Sequence, residues 1–234
     1  MKKRLALIIL ALASLTFASP SFAQIKNVKK DENKKPEIIR DRFMLDFFHT
    51  FWNGTPGEID ANKFHPGFNV TGMYDFKLPN NVPLSFGLGL GFSYYTLYSN
   101  ATLGADTNGV MVFTSIPEDI NYKRSKMIYT NIHIPLELRY RHACGFKISL
   151  GVRLGLTTGI TTRYKGNNPL NPDEYLNIKD FNIKNKQKFN FDVYLRTGWK
   201  FIGVYFSYEI TSLFTKDKGP QLHPMSLGMT INFF

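Results

Sequence analysis

The sequence predicts an all-β chain, an eight-stranded antiparallel up-and-down transmembrane β-barrel. Three observations carry that prediction. From Leu84 to Tyr94 every second residue is large and apolar (Leu84, Phe86, Leu88, Leu90, Phe92, Tyr94), and between them stand only Ser85, Gly87, Gly89, Gly91 and Ser93. A period of two is the strand period, so one face is greasy and the other nearly bare. A soluble sandwich would carry charge on its outer face; a small or polar face turned toward a confined interior belongs to a membrane barrel. Seven further segments alternate in the same sense. The connections between the eight segments run long, short, long, short, as extracellular loops and periplasmic turns do.

The chain opens with a predicted secretory leader, residues 1–23. Lys2, Lys3 and Arg4 precede the apolar run Leu5 to Phe17, and Ser21-Phe22-Ala23 has the small-x-small cleavage pattern. Beyond it no apolar run is long enough for a membrane helix, so insertion has to be by strands. Residues 24–40 are Lys-rich and read as a flexible periplasmic tail. Residues 41–234 are the barrel domain.

The first strand spans about Asp41 to Trp52, with Phe43, Leu45, Phe47 and Phe51 outward and Asp46, Phe48 and Thr50 inward. A Gly/Pro loop follows. The second, Phe64 to Leu78, turns Phe68, Val70, Tyr74 and Phe76 outward and Asn69, Thr71, Asp75 and Lys77 inward. Pro79-Asn80-Asn81 is a tight turn into the glycine-laced third strand. A loop over about Ser99 to Ser125 leads to the fourth, Lys126 to Tyr140, where Ile132, Ile134, Leu136 and Leu138 alternate with Asn131, His133, Glu137 and Arg139. After a short turn, Phe146 to Leu156 alternates with Lys147, Ser149, Gly151, Arg153 and Gly155. A second long loop covers about Tyr164 to Gln187. The sixth strand sets Phe189, Phe191, Val193 and Leu195 against Asn190, Asp192, Tyr194 and Arg196. The seventh sets Val204, Phe206 and Tyr208 against Tyr205, Ser207 and Glu209. The last sets Met225, Leu227, Met229, Ile231 and Phe233 against Ser226, Gly228, Thr230 and Asn232.

The chain resembles the PorT-type outer-membrane β-barrel proteins of Bacteroidetes. The stretches that carry the resemblance are Arg40-Asp41-Arg42, Ile134-Pro135-Leu136-Glu137-Leu138-Arg139, Gly219-Pro220 and Ser226-Leu227-Gly228. Phe234 is similar to the C-terminal aromatic read by the barrel-insertion machinery, although the apolar alternation here runs through Phe233. The resemblance implies an integral barrel of the Gram-negative cell outer membrane, and from its namesake a role as an accessory of type IX protein secretion.

The charge of +11, from 29 basic and 18 acidic residues, on an exported chain points to lipid phosphate and surface polysaccharide rather than nucleic acid. The inward positions Asp46, Asp75, Lys77, Glu137, Arg139, Arg153, Asp192, Arg196 and Glu209 form a predicted lumen charge network. Eight strands leave an interior that side chains fill, and ions buried there have to pair; this favours a structural salt-bridge core over a narrow ion channel. Lys126, Arg163, Lys165 and Lys188 fall at extracellular strand ends and are expected to contact outer-leaflet phosphates such as those of lipid A. Aromatic residues at strand ends (Phe51, Trp52, Tyr95, Tyr98, Tyr164, Trp199) read as an interface girdle.

No cofactor or metal motif occurs. His133 and Glu137 share a face but stand about 13 Å apart on a strand, too far for one ion. The single Cys144 excludes an internal disulfide. A lipid A acyl hydrolase or transferase would need a nucleophile and a base in mutual reach. The nearest pair by parity, His49 and Ser212, belongs to strands separated by another strand, so no catalytic residues are assigned. The expected role is structural or interactive, through the long loops or the tail, with an envelope protein as partner. The barrel itself is read as a monomer.

Overall fold

The computed structural model describes residues 42–61, 63–78, 83–181 and 183–233. The predicted leader and tail, the turn at 79–81 and Phe234 lie outside these. Among the described residues there is no helix. The strands are β1 (Phe43–Asn53), β2 (Pro66–Lys77), β3 (Leu84–Tyr98), β4 (Ala101–Ala105), β5 (Met111–Ser115), β6 (Tyr122–Arg141), β7 (Phe146–Asn168), β8 (Asn171–Asp180), β9 (Phe189–Trp199), β10 (Ile202–Glu209) and β11 (His223–Phe233).

Eight of these close a ring. Hydrogen-bonded neighbours follow the order β6-β3-β2-β1-β11-β10-β9-β7, and β7 pairs in turn with β6. Every pairing is antiparallel. The first and last strands meet from Phe43↔Phe233 to Asn53↔His223, so the ring has no free edge. The two-residue turn Lys200-Phe201 and the turn 142–145 lie at the end where the chain enters and leaves the barrel. Gly145, at φ 98°, closes the second of these.

The two long connections are not loops. β4 and β5 form a hairpin inside the segment read as a loop over 99–125. In the segment 164–187, β7 runs on to Asn168 and β8 pairs back along it. Pro169 and Pro172 fall at the hairpin tip and the start of β8, where a missing N–H breaks no ladder, so they do not mark an irregular stretch. β7 also carries a bulge: Asn131 faces Thr157 while Thr130 faces Gly159. The extra residue flips the alternation, so Ile160 and Tyr164 turn inward.

The outside of the ring is apolar. Phe47, Tyr74, Leu90, Leu138, Leu150, Leu156, Ile202, Val204 and Met229 are all exposed. The interior is filled by pairing bare positions with large ones. A Cβ on Gly151 would meet the ring of Tyr194, and one on Gly91 the imidazole of His133. Gly151→Leu is therefore expected to destabilise the barrel by about 1–3 kcal/mol through overpacking. Gly104→Leu, with open space around its Cβ position, should leave stability unchanged. Urea unfolding, read from the faster migration of the unheated form on a detergent gel, checks both.

Candidate functional site in the lumen and at the hairpin-end rim

The inward charges are joined into chains of alternating sign. Arg196 donates from Nε to Asp46 Oδ1 at 3.0 Å, from Nη2 to Asp46 Oδ2 at 2.7 Å, and from Nη1 to Glu137 Oε1. Glu137 also receives Nε of Arg139 at 2.5 Å and the hydroxyl of Tyr194 at 2.7 Å. Arg139 Nη1 lies 2.6 Å from Asp75 Oδ1, and Arg141 Nη2 lies 2.8 Å from the other oxygen of Asp75. Asp46, Arg196, Glu137, Arg139, Asp75 and Arg141 thus follow one another across β1, β9, β6 and β2. Such a chain offsets the cost of taking each ion out of water.

A second cluster lies farther along the lumen. Arg153 Nε is 2.6 Å from Asp192 Oδ1, and its Nη2 donates to the Tyr205 oxygen at 2.6 Å. Asn69 Nδ2 reaches both Tyr205 and Asp46, at 3.0 and 3.2 Å, and ties the two clusters together. The rings of Tyr194 and Tyr205 each stand within cation–π reach of both Arg153 and Arg196, at 4.7–5.6 Å. Next come Glu209, which accepts from Tyr129 at 2.9 Å, and Asn190 and Asn131, which both donate to the Tyr129 oxygen. His133 Nδ1 sits 3.1 Å from Ser93 Oγ. Among the described residues no three His, Cys, Asp or Glu side chains converge as metal ligands.

Toward the hairpin end the lumen turns apolar. Phe48, Trp52, Tyr95, Leu97, Met127, Ile160, Leu213, Phe214 and Leu222 pack with Leu103 and Met111 of the β4–β5 hairpin. Tyr164 is buried in a separate cluster with Ile116 and Ile120, whereas Trp52 and Tyr95 lie in this one and are interior residues, not part of a girdle. Their strand positions carry inward parity, which outweighs the tendency of end-of-strand aromatics to sit at an interface.

Of the predicted network, Lys77 stands apart. It has inward parity but is exposed at the end of β2, where its long stem carries the ammonium into solvent. Arg141 is the member that sequence reasoning missed. It lies two residues past Arg139 on the same face, so extending the alternation by one step finds it.

The four predicted rim cations divide. Lys126 on β6 lies directly opposite Arg163 on β7, and Arg124 opposite Lys165. Lys188 is exposed just before β9, where its carbonyl accepts from Thr157, and lies outside these pairs. His49 Nδ1 accepts the backbone N–H of His65 at 2.9 Å, and its ring packs on Phe51 and Phe64. Ser212 Oγ is buried without a hydrogen-bond partner among the described residues; no geometry joins it to His49.

His65, in the connection before β2, has a defined tautomer. Its Nδ1 accepts from the Tyr98 N–H at 3.1 Å, so Nε2 carries the proton and donates to Ala61 O at 2.6 Å. Burial pushes its imidazole below the usual histidine range.

No family model and no curated protein matches the chain. Among solved structures it is similar to Ail, the attachment invasion locus protein of Yersinia pestis. The complex of Ail with the heparin analogue sucrose octasulfate aligns at TM-score 0.37 and 12% identity, over 82% of this chain and 96% of that one. A second Ail structure aligns at TM-score 0.35 with the same identity and coverage. An engineered protein described for asymmetric conductivity aligns at TM-score 0.22 and 8% identity, over 82% and 98% of the two chains.

Two predictions follow from the lumen and the His65 contacts. Arg153→Met strands Asp192 as a buried unpaired ion and should cost about 3–5 kcal/mol in urea unfolding, whereas adding Asp192→Leu should recover most of that loss. For His65, the unfolded chain binds its proton below about pH 6.5 and the folded chain only at lower pH. Its contribution to stability is present above that pH and falls as the solution is acidified. The difference in unfolding free energy between wild type and His65→Gln should shrink from pH 8 to pH 5.

Proposed function

We propose that the protein is an integral outer-membrane barrel with a filled lumen, acting without catalysis as a surface for interaction. In this reading the hairpin end faces the outside of the cell and the tight turns face the periplasm. The observation that carries the reading is the inverted polarity of the ring: ion pairs inside, and exposed large apolar side chains outside on every one of the eight strands. That arrangement suits a hydrocarbon solvent and no other.

The lumen supports a closed body rather than a conduit. Its column of ion pairs runs as far as Glu209 and Tyr129 and ends against the apolar cluster built on Phe48, Leu97 and Phe214. Catalysis gains no support from the position of His49, whose Nδ1 is engaged by the backbone. The β4–β5 hairpin and β8 lie outside the ring's own ladder, and these, with the extension of β7 along which β8 pairs, are where a partner protein is expected to bind.

Two measurements test the reading. Purified protein in a planar bilayer should give no large steady conductance; openings of the size of a general porin would overturn the filled-lumen assignment. Leu88→Arg, on the outward face near the middle of β3, should destabilise the vesicle-inserted barrel by about 2–4 kcal/mol. An unchanged unfolding midpoint for that variant would mean that the face does not meet lipid.

A further inference from the structure

We propose that the hairpin-end rim over β6, β7 and β8 is a binding site for the phosphate groups of an outer-leaflet glycolipid. This rests on the reading of the chain as an outer-membrane barrel. The register across the three strands sets two rows on the outward face. Lys126, Arg163 and Lys179 lie opposite one another in the first row; Arg124, Lys165 and Asn177 lie opposite one another in the second. Five of the six positions are cations, the sixth is an amide, and none is an acid.

Like charges directly opposite on neighbouring strands are destabilising. Here that placement occurs three times, at Lys126–Arg163, Arg124–Lys165 and Arg163–Lys179. None of the six register positions holds a carboxylate, whereas each lumen arginine stands beside one. Arg163 is central to the array, and its Nε is shut off from solvent with no hydrogen-bond partner among the described residues. Leaving that N–H without an acceptor costs free energy, on top of the repulsion from the cations opposite.

The height of the array selects the ligand. The row below Lys126, Arg163 and Lys179 is Ile128 and Thr161 with exposed Phe181, the upper edge of the apolar girdle. The ammonium groups lean on aromatic rings at that level, Lys126 on Tyr98 at 5.3 Å and Lys179 on Phe181 at 4.0 Å. Strands about 4.8 Å apart and rows about 6.8 Å apart hold the cations on a grid that can grip one phosphate from several sides. A lipid whose acyl chains lie on the girdle presents its phosphates at this height; a soluble anion would have no use for the apolar edge beneath.

The test uses the full chain refolded in detergent micelles, with native mass spectrometry against three probes: bisphosphorylated lipid A, the same lipid with its phosphates removed, and dextran sulfate as a soluble polyanion. The variant Lys126→Gln/Arg163→Gln/Lys179→Gln should bind the bisphosphorylated lipid at least about tenfold more weakly than wild type. Lys216→Gln/Lys218→Gln, on the connection before β11, should bind as wild type does. Removing the phosphates should reduce wild-type binding to the level of the triple variant. Equal binding by wild type and the triple variant, binding that ignores the phosphates, or a preference for dextran sulfate would each overturn the site. All samples are first checked for the fast-migrating folded band. A wild-type chain lacking that band would instead overturn the barrel reading, and the lipid site with it.

Discussion

The structure depends on one constraint: a ring of eight strands leaves no room for water in quantity, so every charge pointing inward has to be neutralised by another side chain. Arg196 meets this most completely, with all three of its nitrogens committed to Asp46 and Glu137. Each of those carboxylates serves a second donor, and so the pairing spreads from β9 to β1, β6 and β2. A pair of isolated ions would tie two strands; a chain of alternating sign ties the ring across its diameter. Tyrosine does the remaining work. Tyr194, Tyr205 and Tyr129 each put a ring beside cations or apolar groups and a hydroxyl into the network, so the same residue fills volume and satisfies an acceptor.

The ion pairs need large side chains, and large side chains need somewhere to go. That explains why the glycine-laced faces of β3 and β7 lie beside the strands with the heaviest inward residues. Gly151 is opposite Tyr194 in the ladder, and Gly91 is opposite His133. A lumen of uniformly medium residues would fill the same space but could not carry guanidinium groups inside it. The bareness that makes Leu84 to Tyr94 conspicuous in the sequence is therefore the complement of Arg139 and His133 on β6 and Met73 on β2.

Alternation made the eight ring strands and most of the lumen legible. The sign of each inward residue can be read from the chain; its partner cannot, because Asp46 and Arg196 are brought to the same side of the lumen only by the closure of β1 on β11, with β10 and β9 following in the ring. Lys77 and Arg141 mark the limit of parity as a guide. Parity states which way a side chain leaves the strand, but whether it ends in the lumen depends on how far the strand runs past the barrel wall. The hairpin β4–β5 and strand β8 were hidden for a different reason. They lie outside the closed ring, have no reason to alternate apolar with small, and β8 is exposed along nearly all its length, so turn residues dominate its composition.

The bulge at Thr158 joins the two halves of the molecule's chemistry. Below it, the odd-numbered residues of β7 point inward, as Gly151 and Arg153 do. Had that phase continued, Arg163 and Lys165 would point into the apolar cluster, and Ile160 and Tyr164 would point out. One extra residue reverses this. The same shift seals the hairpin end of the lumen with Ile160, turns two cations out onto the rim beside Lys126 and Arg124, and packs Tyr164 against Ile116 and Ile120 of the connection between β5 and β6. In the sequence only Thr157-Thr158-Gly159 stands at this place, and a lone glycine is a weak sign of a bulge. A closed, filled lumen and an open, cationic rim are thus alternatives for the same stretch of β7, and the bulge is what lets the chain have both.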